Sequence, residues 1–122
     1  MDERKQRGNR GEAVVAGYLR KKGYRLLESQ FRCRFGEIDL IARSPEGVLC
    51  FVEVKTRSSK GFSHAMEAVT AQKQQKLRTT AQIYLARTGV DCPCRFDVAE
   101  VYPGGNGTWD RPEINYITNA FC

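Results

Sequence analysis

Residues 36–55, with the sequence GEIDLIARSPEGVLCFVEVK, decide the fold because they contain two apolar runs around a tight turn. Pro suits the second position of a type I turn, and Gly suits the left-handed position that follows, so residues 45–47 predict a three-residue hairpin loop. That loop fixes how the two strands pair. It predicts that Asp39 lies directly opposite Glu53.

The alternation of side chains along a strand divides this hairpin into two faces. One face carries the charged residues and part of the core, namely Glu37, Asp39, Ile41, Phe51, Glu53 and Lys55. The other face is apolar and consists of Ile38, Leu40, Cys50, Val52 and Val54. Apolar residues on both faces are typical of central strands that are covered on each side.

The two carboxylates of this hairpin need compensation, because neighbouring ionised groups repel each other and are costly to bury. A divalent cation between Asp39 and Glu53 relieves that repulsion, so the pattern predicts a metal site. A structural alternative stays open from the same residues. Lys55 could form an ion pair with Glu37 or Glu53, or this face could be open to water.

The rest of the chain predicts the order helix, three strands, helix, two strands, and therefore a three-layer α/β domain. We expect a mixed five-stranded central sheet with helices on both faces, in one domain spanning residues 1–122. The predicted elements outside the hairpin are a helix from Asn9 to Gly23, an edge strand over 24–31, a basic connection over 30–34, a helix over 70–87, and strands over 95–102 and 113–118. Residues 1–8 are expected to be a flexible arm. We expect Asp97 to form a salt bridge with a nearby Arg.

Glu12 lies in the first turn of the first predicted helix and has two possible roles. The apolar residues Val15, Ala16 and Leu19 follow at helical spacing, so Glu12 shares the inward-facing stripe. Asn9 and Glu12 also match a capping box, in which Glu12 bonds back to the helix start. The pattern alone favours the capping role and leaves a role in the site open.

Composition limits the class of protein. At 122 residues, 41% hydrophobic and 28% charged, the chain is typical of a single soluble domain. No apolar run reaches membrane-spanning length and the first residues lack the apolar core of a signal peptide, so we expect a cytoplasmic protein. Five cysteines with a single His indicate reduced thiols, with Cys50 in the core and Cys122 at the end, and make a zinc site improbable.

The net charge of +6 is concentrated on both sides of the hairpin. Residues 1–34 and 55–78 hold 16 of the 20 basic residues and only 5 of the 14 acidic ones. Basic residues beside a carboxylate site favour a polyanionic ligand, because they bind phosphates. The loop over 56–63 has the composition of a mobile substrate-gripping loop, and Lys73 and Lys76 lie where long side chains reach a phosphate. A solvated basic surface without a ligand is the alternative.

Taken together, these motifs resemble a known family. Glu12 in a first helix, Asp39 at the end of Gly-Glu-Ile-Asp, and Glu53-Val54-Lys55 resemble the PD-(D/E)xK nuclease superfamily. The closer resemblance is to its bacterial YraN-like family, which is related to archaeal Holliday-junction resolvases. The similarity covers nearly the whole chain, through residues 10–12, 36–41, 51–57, 67–70 with Lys73, 95–98 and 117–121. Glu-x-Lys alone is common, but the ordered combination is specific. Ile38 stands where the superfamily signature has Pro, which leaves the metal-binding logic intact.

The resemblance implies a restriction-endonuclease-like fold and divalent-metal-dependent cleavage of DNA. It implies Mg²⁺, with Mn²⁺ as a substitute, bound by Asp39, Glu53 and the backbone carbonyl of Val54. Lys55 would orient or deprotonate the attacking water, and Glu12 would hold a water or a second ion. Branched or junction DNA and a homodimer are the substrate form and assembly that the resolvase likeness suggests.

The predicted nucleic-acid-binding residues are Arg10, Arg57, Lys60, Lys73 and Lys76. The main alternative function is a non-catalytic nucleic-acid-binding accessory protein that keeps the nuclease fold. A metal-dependent hydrolase of small phosphorylated molecules is a weaker alternative, because the basic segments favour a polymer. No small-molecule cofactor and no membrane partner are expected.

Overall fold

The structure, a computed structural model, describes residues 3–57, 69–104, 109 and 111–122, with side chains from residue 10 onward. It contains the seven elements in the predicted order. They are α1 (Glu3–Lys21), β1 (Arg25–Cys33), β2 (Gly36–Arg43), β3 (Leu49–Thr56), α2 (Ala71–Thr88), β4 (Cys94–Tyr102) and β5 (Glu113–Phe121).

The strands form one mixed sheet in the order β1-β2-β3-β4-β5. Strands β3 and β4 are parallel, and the other three neighbouring pairs are antiparallel. A parallel pair needs a crossover connection, which α2 provides. Strands β1 and β5 are the edges, as predicted. The predicted α/β class with a mixed five-stranded sheet is therefore confirmed.

The β2–β3 hairpin has the predicted register. Leu40 pairs with Val52, and the pairing continues in step to the turn. Gly47 has φ 88°, the left-handed conformation that the predicted loop requires. The strand pairing ends one residue short of Asp39 and Glu53, whose carboxylates are nevertheless close enough to interact by charge.

Each helix packs in its own apolar cluster. The α1 cluster consists of Val15, Leu19, Leu40, Ala42, Cys50, Val52, Ala99 and Val101. The α2 cluster consists of Ile38, Ile41, Leu49, Phe51, Val69, Leu77, Ala81, Tyr84, Val98 and Phe121. From Leu49 to Val52, successive residues of β3 alternate between the two clusters. The helices therefore cover opposite faces of the sheet.

Ile38 departs from the predicted division of faces. The hairpin pattern predicts it on the same face as Leu40, but it packs with Ile41 in the α2 cluster. The pairing of β2 with β3 ends at Leu40, and beyond it the Val54 N–H donates to the Asp39 carboxylate at 2.7 Å. Because a side chain replaces a backbone carbonyl there, β2 is free to twist away from β3.

The predicted start of the first helix is wrong. Helix α1 begins at Glu3, so residues 3–8 are helical where a flexible arm was predicted. Asn9 lies inside the helix and cannot be its N-cap, which also removes the capping-box role of Glu12. The Glu, Arg, Lys and Gln residues of this segment are good helix formers, and their propensity extends the helix past the polar cap signal. The helix ends before Gly23, as predicted.

Helix α2 lies within one residue of the predicted range 70–87 at each end. The Thr70 hydroxyl accepts from the backbone N–H of Lys73, and Gly89 is left-handed with φ 69°. Strand β1 extends through Cys33, so the connection predicted over residues 30–34 is reduced to a tight turn at residues 34–35. Cys50 is buried and Cys122 is exposed, as predicted for these two cysteines. Neither of the helices described combines the length and apolarity needed to cross a membrane.

Candidate active site

Asp39 and Glu53 lie where the pairing of β2 and β3 ends. Asp39 accepts a hydrogen bond from the Val54 N–H, and Glu53 is only 7% exposed. Burial, followed by repulsion from Glu53, raises the pKa of Asp39 to about 7. The two carboxylates therefore share a site in which ionising both is unfavourable.

Two ammonium groups approach Glu53. Lys55 Nζ lies 3.4 Å and Lys73 Nζ lies 3.0 Å from Glu53 Oε1. Lys55 follows on the same strand, whereas Lys73 comes from the first turn of α2. The ion pair of Lys55 with Glu53, raised as a structural alternative, is thus present. Glu37 instead pairs with Arg32 at 2.8 Å on the surface.

The surroundings lower the pKa of Lys55 and raise the pKa of Lys73. Burial lowers the pKa of Lys55, and hydrogen bonding to Lys73 lowers it further against the attraction of Glu53. Burial also acts to lower the pKa of Lys73, but the hydrogen bond to Lys55 and the Glu53 carboxylate outweigh it and raise that pKa. Lys55 is therefore the lysine of the pair that gives up its proton more readily.

Helix α1 brings Glu12 to the edge of this site. Gly11 is buried against β3, where a Cβ atom would collide with the Thr56 hydroxyl, so the helix approaches the strand closely at this point. Burial raises the pKa of Glu12, a side-chain hydrogen bond to Gln30 opposes this rise, and nearby carboxylates including Glu53 add to it. Glu12 also lines a cavity of about 610 Å³ between α1 and β1.

The donors available to a metal ion are the oxygens of Asp39 and Glu53. Within the described ranges, no three His, Cys, Asp or Glu side chains form a group that could hold a metal ion, so Glu12 does not complete a set of three. Two carboxylates nevertheless suit Mg²⁺, which prefers hard oxygen ligands and keeps several waters. The raised pKa of Asp39 indicates uncompensated negative charge that a divalent cation would neutralise. The Val54 carbonyl stays a predicted third donor.

The residues predicted to bind nucleic acid differ in their exposure and in their ion pairs. Arg10 and Lys76 are exposed, Lys73 contacts Glu53, and Lys60 with most of the 56–63 loop lies outside the described residues. Arg57 donates from Nε to the buried Glu100 at 3.3 Å. Its guanidinium is therefore already engaged in an ion pair.

Asp97 lies apart from the site and has a structural role. It is fully buried and accepts from Arg95 Nε at 3.0 Å, from the Tyr116 hydroxyl at 2.6 Å and from the Asn119 N–H at 2.8 Å. The predicted salt bridge to a nearby Arg is confirmed.

Sequence reasoning missed two contacts of the site. Lys73 was predicted to bind DNA, and its contact with Glu53 was not predicted. Because α2 connects the parallel strands β3 and β4, it begins at the edge of the sheet where β3 ends, close to Glu53. That topology, with Lys73 in the first turn of α2, is a signal that could have found it. The sequence contains no such signal for the contact of Gln30 with Glu12. Gln30 has a φ of 51°, an irregularity of strand β1 that the alternation of residues does not predict.

Comparisons with other proteins place the chain among bacterial relatives. The family model described as "Uncharacterised protein family UPF0102" matches residues 11–101, which include all four predicted catalytic residues. A UPF0102 protein of Symbiobacterium thermophilum is 50% identical over 115 residues, covering 93% of this chain and 94% of its own. One from Alkaliphilus metalliredigens is 47% identical over 118 residues, covering 96% and 98%. One from Nitrosomonas europaea is 44% identical over 121 residues, covering 99% and 98%. The chain therefore belongs to the UPF0102 family, the YraN-like family that its motifs resemble.

Proposed function

We propose that this protein is a Mg²⁺-dependent phosphodiesterase that cleaves DNA internally. The observation that supports this most directly is the pair of neighbouring carboxylates, Asp39 and Glu53, with the side-chain nitrogens of two lysines within 3.4 Å of Glu53. Phosphodiester hydrolysis needs a site for a cation, a group that accepts a proton from water, and positive charge near the phosphate. This cluster contains residues suited to all three tasks.

Asp39, Glu53 and the Val54 carbonyl would hold the divalent cation. When bound, the cation supplies charge neutralisation and polarisation of the phosphate. Asp39 is held for this task by the Val54 N–H, which fixes one of its oxygens and leaves the other available. A fixed carboxylate loses little conformational freedom on binding an ion.

The lysines would act on water and on the phosphate. Lys55 would act as the neutral amine, the form that its lowered pKa favours, and would accept a proton from the attacking water to become an ammonium. Lys73 keeps its proton and stabilises negative charge that accumulates on the phosphoryl oxygens. Glu12, at the edge of the site, would position a water molecule.

DNA is the proposed substrate because of the charge of the chain. A net charge of +6 attracts the phosphate backbone and releases its counterions on binding. Arg10 and Lys76 are both exposed and would make such contacts. Preference for branched DNA and assembly as a homodimer rest on the resolvase likeness alone.

A second candidate function is a DNA-binding accessory protein without turnover. One observation favours it, namely that Lys55 and Lys73 both form ion pairs with Glu53 and so compensate its charge from within the chain. Such a protein would bind DNA equally well with and without divalent metal.

The deciding experiment incubates the purified protein with linear, flapped, forked and four-way DNA in Mg²⁺, Mn²⁺ or EDTA. Wild type should cleave at least one of these with metal and none in EDTA. Asp39→Asn and Glu53→Gln should each lose about 100-fold or more in rate. Glu37→Gln, which removes an exposed carboxylate from the same strand, is the matched control and should cleave normally. DNA binding without cleavage under any metal would favour the accessory protein.

A further inference from the structure

We infer that the turn between β1 and β2 is a base-stacking element, in which Phe35 and Arg34 receive an unpaired base of the nucleic acid. The inference rests on the proposed function in taking DNA as the ligand. It adds a binding site outside the carboxylate cluster and a structural feature that the substrate must have.

Phe35 has an exposure that packing does not explain. Its side chain is 44% exposed, and no other large hydrophobic residue in the described part of the chain is exposed. The Arg34 guanidinium carbon lies 4.7 Å from the centroid of the Phe35 ring. The guanidinium lies over one face of the ring, so a base would stack on the opposite face, and such stacking accepts bases of any sequence.

The backbone of this turn is held firmly while the ring is left outside the core. The Phe35 N–H donates to Cys33 Sγ at 3.4 Å, and that thiol lies 3.8 Å from the Thr80 hydroxyl of α2. Gly36 approaches the same hydroxyl so closely that a Cβ atom there would lie 3.1 Å from it. Because the turn is fixed before binding, stacking on Phe35 would cost little conformational entropy.

The charges around the turn suit a phosphate backbone on either side of the stacked base. Lys76 of α2 borders the turn, since its Cβ lies 3.7 Å from the position that a Gly36 Cβ would take. Both Arg34 and Lys76 are exposed. Arg32, the next basic residue of β1, is held by Glu37 and contributes less net charge.

The turn is also at a useful distance from the carboxylate cluster. Phe35 precedes Asp39 by four residues along β2, or about 13 Å at 3.3 Å per residue. That span corresponds to roughly four nucleotides that keep the 3.4 Å stacking rise of duplex DNA. A base held by Phe35 would therefore lie a few nucleotides from the phosphate at the site.

This geometry selects for unpaired nucleotides. Bases inside a duplex have both π faces covered by their neighbours, so the ring has access only where a base is unpaired. The structure thus favours a flap, gap or single strand over a fully paired duplex. A second copy of this chain is the competing occupant of the exposed ring, and the test separates the two.

The test measures binding by fluorescence anisotropy in EDTA, so that cleavage plays no part. The probes are a labelled duplex and the same duplex with a single-stranded flap. Phe35→Ala and Phe35→Leu should each weaken flap binding about 10-fold, or about 1.4 kcal/mol, and leave duplex binding unchanged. Phe35→Trp, which keeps a stacking ring, should retain flap binding. The Leu variant separates stacking from simple apolar contact.

Two further readouts make the outcome decisive. A 2-aminopurine in the flap should be quenched by wild type and by Phe35→Trp but not by Phe35→Ala. Equal losses on both probes, or none, would overturn the stacking role. So would a change from dimer to monomer in Phe35→Ala by sedimentation, which would assign the ring to self-association. Wild type that binds the flap through Phe35 but never cleaves would leave this inference standing and remove the nuclease activity.

Discussion

Replacing Asp39 with Asn should stabilise the folded protein at about pH 8 and have little effect near pH 4. Burial and the neighbouring Glu53 raise the pKa of Asp39 from 3.8 to about 7. Between these values the folded state holds a proton that the unfolded state releases, so the free energy of unfolding falls as pH rises. Above about pH 7 the loss is complete. Asparagine carries no charge and removes this dependence.

The magnitude follows from the same pKa difference. At 1.36 kcal/mol per pH unit, it corresponds to roughly 4 kcal/mol. Because Asp39 and Glu53 titrate together, that figure is an upper limit, and we expect a gain of about 2–4 kcal/mol at pH 8. The replacement keeps an oxygen that accepts from the Val54 N–H, so no hydrogen bond is lost.

Urea denaturation in EDTA, followed by circular dichroism at the two pH values, measures the effect. Glu37→Gln is the control, since it removes a half-exposed carboxylate paired with Arg32 and should change stability by less than about 1 kcal/mol. Added Mg²⁺ should stabilise wild type and not Asp39→Asn. If Asp39→Asn is no more stable than wild type at pH 8, the carboxylate is not under electrostatic strain and this reasoning fails.

Four other predictions concern packing, charge compensation, the catalytic role of Lys55 and the buried Asp97. Gly11→Ala should lose about 1–3 kcal/mol because its Cβ meets a β3 hydroxyl, whereas Gly17→Ala in the same helix has open space and should gain about 0.5–1 kcal/mol in thermal unfolding. Lys55→Ala and Lys73→Ala each leave one ammonium on the shared carboxylate, so a double-mutant cycle should show a double variant at least about 1 kcal/mol worse than the sum of the two. Additive losses would contradict shared compensation. Lys55→Ala should still bind Mn²⁺ by calorimetry while losing turnover. Asp97→Ala removes the carboxylate partner of the largely buried Arg95 guanidinium and should cost about 3–5 kcal/mol in urea denaturation, and a smaller loss would mean that water replaces the carboxylate.

Local signals in the sequence were enough to predict most of the fold. The turn over residues 45–47 fixed the hairpin register, and the range 70–87 predicted for α2 was right to within one residue, because each depends on a few adjacent residues. The start of α1 was missed because the cap signal of Asn9 competes with the helix propensity of the residues before it. The packing of Ile38 was missed because it depends on where two strands stop pairing, which is a tertiary property.

The same distinction applies to the candidate site. Asp39 and Glu53 belong to one hairpin, so their proximity follows from the register. Lys73 and Gln30 reach the site from α2 and β1, and their contacts depend on how three separate elements pack. Spacing within one element carries no information about such contacts, which is why the cluster of charges around Glu53 was predicted only in part.

The contrast between two buried aspartates connects stability with function. Asp97 is surrounded by three hydrogen-bond donors, including the Arg95 guanidinium, so its charge is compensated and holds β4 to β5. Asp39 receives the Val54 N–H but faces Glu53, and its charge destabilises the fold at neutral pH. An asparagine would make the same hydrogen bond without that cost. A carboxylate at this position therefore contributes nothing to the fold that an amide would not, and strongly perturbed groups of this kind are typical of functional sites. We propose that this position carries a carboxylate because its negative charge binds a ligand, and a divalent cation is the ligand that two neighbouring carboxylates suit best.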